Sequence, residues 1–131
     1  MNLKILSALI LLCFLMLTGV AAQNQQTPDP CDNAQTTVEM RDCAGKEYQK
    51  ADAELNQVYK QLMASLSDRA HQASLRTAQQ AWLKYRDANC EFDAFENLGG
   101  TIYPVVYNSC LAAMTRARTK ELREQMEQEG H

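Results

Sequence analysis

Residues 44–62, AGKEYQKADAELNQVYKQL, carry the clearest helical pattern of the chain. The core-forming residues of this stretch recur at alternating intervals of four and three, and they are Ala44, Tyr48, Ala51, Leu55, Val58 and Leu62. This spacing places them on one face of an α-helix, whereas a half-buried strand would need strict alternation. Upstream, Thr36 and Glu39 have the spacing of a capping box. The pattern therefore predicts one amphipathic helix over residues 36–66.

Two further helices are predicted downstream of this one. Ser67 is the predicted N-cap of the second helix, which ends at Gly99 and Gly100. Its predicted inward face comprises Leu75, Ala78, Trp82, Tyr85, Asn89 and Phe92. The third helix is predicted to enter through residues 101–103, with Pro104 in its first turn. Its predicted inward face comprises Tyr107, Leu111, Met114, Arg118 and Leu122.

These patterns predict an all-α fold, an antiparallel bundle of three long helices cross-linked by two disulfides. The predicted connections, 66–68 and 98–101, are short, which makes consecutive helices antiparallel. A long amphipathic helix needs its apolar face covered, so the three helices must pack together. No internal repeat or second linker interrupts the pattern, and the folded domain is predicted to span residues 31–126 with a frayed tail over 127–131.

The N-terminal residues have the pattern of a signal peptide over 1–22. A short positive start is followed by an apolar stretch over 5–17 and by small residues, with predicted cleavage after Ala22. The alternative is a retained anchor, but this stretch is shorter than the roughly 20 residues that span a bilayer. Cys13 lacks the small residue that precedes a lipidated cysteine. We therefore expect a periplasmic or secreted protein with no membrane span after cleavage, and a flexible leader over residues 23–30.

Four cysteines follow the predicted cleavage site, namely Cys31, Cys43, Cys90 and Cys110. An even number in an exported chain predicts two disulfides. Cys90 and Cys110 each lie about ten residues from the glycine pair, so they come level on neighbouring helices. Cys43 is available either to Cys31 or to one of those two. We favour Cys31 with Cys43 and Cys90 with Cys110.

Charge and residue types exclude several classes of function. Removing residues 1–22 leaves 12 basic and 16 acidic residues, a net charge of -4 against -3 for all 131 residues. This balance disfavours nucleic acid and favours either plain solubility or attraction to a basic protein. The spacings between the cysteines disfavour a zinc site, and so does the distance in sequence from the cysteines to His71 and His131. We therefore predict no metal, no cofactor and no free catalytic thiol.

No arrangement of residues predicts an enzyme. The glycine pair lacks the lysine of a phosphate-binding loop, and the acidic residues near position 93 have the spacing of a solvated helix surface. Asp52 and Arg86 each lie beside the inward face of their helix and are within about a turn of level. We predict an internal ion pair between them that sets the register of the first two helices.

The second helix carries a family resemblance. QQAWLKYRDANC, residues 79–90, resembles the Q-x-x-W-x-x-Y-R-D-x-x-C signature of the LprI-like family of exported bacterial domains. Similar segments flank it, and the resemblance spans residues 31–122. The matched positions to which it assigns a structural role are Asp52, Leu55, Asn56, Tyr59, Gln79, Trp82, Tyr85, Arg86 and Asp87.

The resemblance implies a small helical, disulfide-bonded periplasmic or envelope domain, and the residue patterns above predict that it is not an enzyme. The namesake of the family inhibits lysozyme, which implies binding to a lysozyme or another wall-acting hydrolase. The alternative is an envelope structural or interaction protein with a different partner. An acidic patch beside the second turn favours inhibition, and a large apolar patch away from that turn favours the alternative.

The turn over residues 97–103 is the predicted contact with the partner. Its candidate residues are Asn97, Gly99, Gly100, Thr101 and Tyr103. Tyr103 is either an aromatic anchor for the partner or a residue packed under the turn. Trp82 and Tyr85 are predicted to be core residues and not contacts.

Overall fold

The computed structural model describes residues 30–129. The predicted signal peptide, nearly all of the predicted leader and residues 130–131 lie outside the described residues. The described chain forms three long helices, α1 (Thr37–Ser65), α2 (Arg69–Ala94) and α3 (Tyr103–Glu129). Short 3-10 segments occupy Pro30–Asn33 and Phe95–Asn97. No strand occurs within residues 30–129, so the all-α three-helix prediction is confirmed.

The start of α1 is the predicted capping box. The Glu39 N–H donates to Thr36 Oγ1 at 3.2 Å, and the Thr36 N–H donates to the Glu39 carboxylate at 2.9 Å. Hydrogen bonds from the Thr36 and Gln35 N–H groups stabilise the carboxylate and lower the pKa of Glu39. The reciprocal bonds satisfy N–H groups that have no partner within the helix.

The N-cap of α2 is Asp68 and not Ser67. Asp68 has an extended backbone, and its side chain accepts the Ala70 N–H at 2.7 Å. Both residue types are good N-caps, so the identity of the cap depends on where the backbone leaves the extended conformation. A side-chain hydrogen bond also stabilises the connection from α1, because Gln72 Nε2 donates to the Leu66 carbonyl at 2.7 Å.

The most extensive helix packing joins α1 and α3, which run parallel because α2 returns the chain between them. Arg116 pairs with Glu47 at 3.0 Å, and Arg123 pairs with Glu54 further along. Helix α2 is antiparallel to both and packs mainly on α3, with the least backbone contact to α1. A groove therefore remains between α1 and α2.

The apolar core lies in the half of the bundle nearer the α1–α2 turn. Its buried residues are Leu55, Val58, Leu62, Leu66, Leu75 and Leu122, with Tyr59, Met63, Trp82 and Met126 packed against them. The predicted face of α1 is confirmed, because its members are buried except for the half-buried Tyr48. No helix of the described chain has the length and apolar character needed to cross a membrane.

The predicted inward face of α2 holds only in part, since Leu75 is buried and Trp82 packs against the core, whereas two other members are exposed. Tyr85 is 60% exposed and Phe92 is 79% exposed, so neither is a core residue, and Trp82 is half-buried. The residues that α2 does bury are Leu75, Gln79, Arg86, Cys90 and Ala94. The helix is thus rotated by about one residue from the apolar stripe. The partners that α3 offers to Arg86 and Cys90 explain this rotation, because both are buried against that helix.

The predictions for α3 hold in part. Leu111 and Leu122 are buried as predicted, but Ala112, Thr115 and Thr119 complete the inward face. The helix continues to Glu129, and the fraying of residues 127–131 stays a prediction. The side chains of Glu124 and Lys120 pair along this last part of the helix.

Both favoured disulfides are confirmed, Cys31 with Cys43 and Cys90 with Cys110. The Cα atoms are 5.5 Å apart in each pair. The first bond fastens the 3-10 segment Pro30–Asn33 to α1, and the second joins α2 to α3. The disulfides therefore hold the half of the bundle whose buried apolar residues are mostly small, such as Ala44, Ala94 and Ala112.

Candidate functional site

Arg86 is the centre of a buried polar network that links all three helices. Its side chain is 6% exposed; Nη1 donates to Thr115 Oγ1 at 3.2 Å and contacts Asp52 at 3.5 Å, while Nε donates to Asp87 at 2.9 Å. Its guanidinium carbon lies 5.3 Å from the Tyr48 ring centroid and 5.4 Å from that of Trp82. The predicted ion pair with Asp52 is therefore present, within a larger network.

The electrostatics of this network favour a structural role. Burial opposes the charged guanidinium, but the hydrogen bond to Asp87 and the charges of Asp87 and Asp52 outweigh it, so the pKa of Arg86 is raised. The guanidinium is occupied by two carboxylates and the Thr115 hydroxyl. It holds α1 and α3 to α2 and has little capacity left for a ligand.

Other residues of the family signature extend the network. Trp82 lies between Arg86 and Arg118, whose guanidinium carbon is 5.9 Å from the indole centroid. Arg118 Nε donates to Gln79 Oε1 at 3.1 Å. Asn56 donates to Asp52 at 3.0 Å, whereas Leu55 and Tyr59 belong to the apolar core. Tyr85 is the exception, since it points to solvent.

The described residues offer no recognisable catalytic or metal centre. No group of three or more His, Cys, Asp or Glu side chains within residues 30–129 is arranged to hold a metal ion. The four cysteines of this range are all in disulfides.

The predicted contact turn is tightly built. Gly99 has a φ of 79°, a left-handed conformation that disfavours other residues, and a Cβ at Gly100 would lie 3.1 Å from the Asn97 carbonyl oxygen. The Gly100 N–H donates to that same carbonyl at 2.9 Å. Exposed Thr101 follows, and the Cys90–Cys110 disulfide closes the helix pair behind the turn.

Tyr103 packs under the turn instead of projecting from it. It is half-buried, and its ring stacks on that of Tyr107 with centroids 5.8 Å apart and planes 9° from parallel. Burial, followed by the charges of Asp87 and Glu91, raises the pKa of Tyr107. These contacts match the packing alternative for Tyr103 and make it a support for the turn.

The strongest surface feature near this turn is apolar, and the sequence patterns missed it. Phe92, Phe95 and Leu98 are 79%, 64% and 68% exposed, and Ile102 is also exposed. We call these four residues the apolar tip. The spacing of α2 predicts Phe92 as a core residue, but its ring is exposed because no helix covers the end of α2 on that side. The signal available in the sequence was that apolar residues continue into the turn itself.

The apolar tip lies in an acidic part of the chain. Residues 87–115 contain Asp87, Glu91, Asp93 and Glu96 and no lysine or arginine. Neither Glu91 nor Glu96 forms an ion pair with any residue of the described range, and both are exposed. The turn thus combines rigid backbone, exposed apolar side chains and unpaired negative charge.

The chain is similar to known proteins over most of its length. A family model described as lysozyme inhibitor LprI matches residues 29–122. The chain is 39% identical over 126 residues to an uncharacterised protein of Rhizobium meliloti (strain 1021), covering 86% of this chain and 91% of that protein. It is also similar to the crystal structure of a DUF1311 family protein from Pseudomonas putida KT2440. That match has a TM-score of 0.67 and 26% identity, and covers 71% of this chain and 96% of the other.

Proposed function

The chain belongs to the lysozyme inhibitor LprI family, and on that premise we propose that it is a non-catalytic binding protein that inhibits a lysozyme. The contact surface of the proposal is the apolar tip together with the turn residues Asn97, Gly99, Gly100 and Thr101. The observation that carries the proposal is the exposure of Phe92, Phe95 and Leu98 at one rigid end of the molecule.

The apolar tip has the properties of a binding anchor. Burying aromatic and aliphatic side chains supplies most of the free energy at protein interfaces, and a few central residues dominate it. The disulfide and the hydrogen-bonded glycine turn hold this surface in place before binding. A rigid surface loses little conformational entropy on association, which favours affinity.

The charge around the apolar tip favours a basic partner. Glu91 and Glu96 would repel a second copy of the same surface, whereas they would attract a basic protein and raise its association rate. Animal-type lysozymes are basic enzymes, and an apolar projection inserted at their cleft would exclude substrate. The apolar surface lies at the turn and not away from it, which favours inhibition over the alternative of an unrelated envelope partner.

We further propose that the protein acts in the periplasm or outside the cell, after cleavage near Ala22. Two disulfides in a chain of this size support an oxidising compartment. The N-terminal pattern over residues 1–22 supports export.

A turbidity assay of cell-wall lysis tests the proposal. The oxidised protein is added at micromolar concentration to a basic animal-type lysozyme and to a phage-type lysozyme, at low and physiological salt. We expect inhibition of the basic enzyme that weakens as salt screens the charges. Lysis by both enzymes at an unchanged rate would contradict inhibition and leave the envelope-partner alternative as the better account.

Paired variants locate the contact. The double substitution Phe92→Ala and Phe95→Ala should weaken inhibition at least tenfold, because interface hot spots cost about 2 kcal/mol or more when truncated. Tyr85→Ala, an exposed aromatic on the same helix, is the matched control and should leave inhibition unchanged. Equal effects of both variants would place the contact elsewhere on α2.

A second pair of double variants tests the contribution of charge. Substituting Glu91 and Glu96 by Gln should slow association and flatten the salt dependence of inhibition. Substituting Glu127 and Glu129 by Gln removes the same charge from the distant end of α3 and should do neither, because the interaction falls off with distance. Identical salt profiles for the two double variants would mean that net charge alone acts.

A further inference from the structure

The groove between α1 and α2 is separate from the apolar tip. It has a volume of about 230 Å³ and opens where these two helices have little backbone contact. Leu55 and Gln79 form its buried floor, with Asn56 and Tyr59 on the α1 side and Arg76 and Gln80 on the α2 side. Its volume is below the roughly 300–1,000 Å³ of pockets for drug-sized ligands, so it suits a smaller group.

The floor of the groove carries a fixed hydrogen-bond donor. Gln79 is 8% exposed, and its Oε1 accepts from Arg118 Nε at 3.1 Å. Because this bond holds the amide oxygen on the side of Arg118, the Nε2 group is turned away from it. No residue of the described range accepts a hydrogen bond from Nε2. Every fully buried side-chain nitrogen or oxygen of the described residues has a hydrogen-bond partner, so Nε2 reaches the open space of the groove and can donate to a group bound there.

The uncompensated charge of the groove is positive. Asp52 also lines the groove, but it is paired with Arg86 at 3.5 Å and accepts from Asn56 at 3.0 Å. Arg76 lines the groove and is exposed, yet it forms no ion pair with any described residue. A free guanidinium beside a free amide donor matches the two oxygens of a carboxylate.

We propose that this groove is a second binding site, and that it takes a carboxylate carried on a short neutral group such as the C-terminal end of a short peptide. Arg76 and the Gln79 Nε2 group bind the carboxylate oxygens. Leu55 and Leu83 contact the apolar part of the ligand. The site does not depend on the proposed inhibition of lysozyme, since its residues are distinct from the apolar tip.

Titration with a matched pair of small peptides tests the site. N-acetyl-alanyl-alanine and its C-terminal amide are added to the oxidised protein, and binding is followed by calorimetry and by the side-chain amide NMR signals of Gln79. The acid should bind with a Kd of about 1 mM, as expected for a ligand of its size, and the amide at least tenfold more weakly. Equal binding of acid and amide, or no saturation by the acid at tens of millimolar, would overturn the proposal.

Three variants separate recognition from folding. Gln79→Glu keeps an oxygen for Arg118 but replaces the donor by a negative charge, and Arg76→Gln removes the free cation. Each should weaken binding of the acid at least tenfold while the helical circular dichroism stays unchanged. Arg69→Gln, an exposed arginine on the same helix outside the groove, is the control and should bind normally. An equal loss in Arg69→Gln would mean that the acid responds only to general positive charge, which would sink the site.

A variant of the apolar tip keeps this test independent of the proposed function. The Phe92→Ala and Phe95→Ala double variant should bind the peptide acid as the parent protein does. A loss of lysozyme inhibition with retained peptide binding would support both assignments. A loss of peptide binding in this variant would overturn the separation of the two sites.

Discussion

Two glycines show how the same substitution has opposite effects at different backbone conformations. A Cβ added at Gly99 or at Gly45 would meet no atom within 4 Å, but only Gly99 has a positive φ. We expect Gly99→Ala to lower the free energy of unfolding by about 1 kcal/mol, because left-handed backbone is strained in other residues. Gly45→Ala, inside α1, should raise it by roughly 0.5–1 kcal/mol. Urea denaturation measures both, and a shift of the same sign in each would contradict this explanation.

Substitutions within the network around Arg86 should lower the free energy of unfolding by unequal amounts. Arg86→Ala removes the cation between Tyr48 and Trp82 and leaves the buried Thr115 hydroxyl without its donor, so we expect a loss of about 2–3 kcal/mol. Asp52→Asn should cost about 1 kcal/mol or less, since that side chain is 39% exposed and 3.5 Å from its partner. Chemical denaturation compares the two. Equal losses would assign the register to the ion pair alone.

For single residues, the sequence predicts the Asp52–Arg86 ion pair correctly but not which side chains of α2 are exposed. The Asp52–Arg86 pair follows from register, which depends only on helical rise and the length of a short turn. The exposure of Tyr85 does not, because Tyr85 and Arg86 differ by one position on α2 and either could face inward. Thr115 on α3 and Asp52 on α1 pair with Arg86 and so decide between them.

At the scale of elements, we expect the two disulfides to contribute unequally to the free energy of unfolding. Cys90–Cys110 joins two helices across a separation of 20 residues, outside the cluster of large apolar residues near the α1–α2 turn. Substituting both cysteines by Ala should lower the free energy of unfolding by about 3 kcal/mol. Cys31–Cys43 ties a short 3-10 segment to α1, and without it this segment also gains freedom in the folded state. Substituting Cys31 and Cys43 by Ala should therefore lower the free energy of unfolding by clearly less.

Thermal and urea unfolding of the two double variants check this ranking. The comparison is matched, since each variant replaces two cysteines by two alanines. A larger loss on removing Cys31–Cys43 would mean that the N-terminal segment is part of the cooperative unit.

Helix α1 was predictable because its signals agree and are all local. The capping box begins it, the alternating spacing of four and three continues to Leu62, and the connection to α2 follows directly. Helix α2 carries an apolar stripe on one side and its disulfide cysteine and buried arginine on another. Local periodicity favours the stripe, whereas packing against α3 selects the other side.

At the scale of the whole molecule, the apolar core and the proposed binding surface lie at opposite ends. The apolar core is near the α1–α2 turn, and the exposed apolar tip is near the α2–α3 turn. We expect Leu122→Ala, at a fully buried core position, to cost about 3 kcal/mol, because it leaves a cavity. Phe92→Ala should change stability by no more than about 0.5 kcal/mol, since its ring is 79% exposed.

Denaturation curves of these two variants test the division directly. A cost for Phe92→Ala that approaches that of Leu122→Ala would show that the apolar tip supports the fold and would weaken its assignment to binding. If the free energy of unfolding depends on urea concentration with the same slope in both variants as in the parent protein, unfolding exposes the same surface area in all three.

Sequence patterns are enough to predict three long helices, the capping box of the first and the glycine turn, and they favour the disulfide pairing without fixing it. These follow from short-range rules, since helical spacing, capping and turn geometry each involve residues a few positions apart. Tertiary structure alone decided that α1 and α3 pack most closely, which side of α2 faces inward, and hence that Phe92 is exposed and a groove opens beside Gln79. The physical reason is that the rotation of a helix about its axis is set by partners on other helices, here the Thr115 hydroxyl and Cys110, and neither lies near its partner in the sequence.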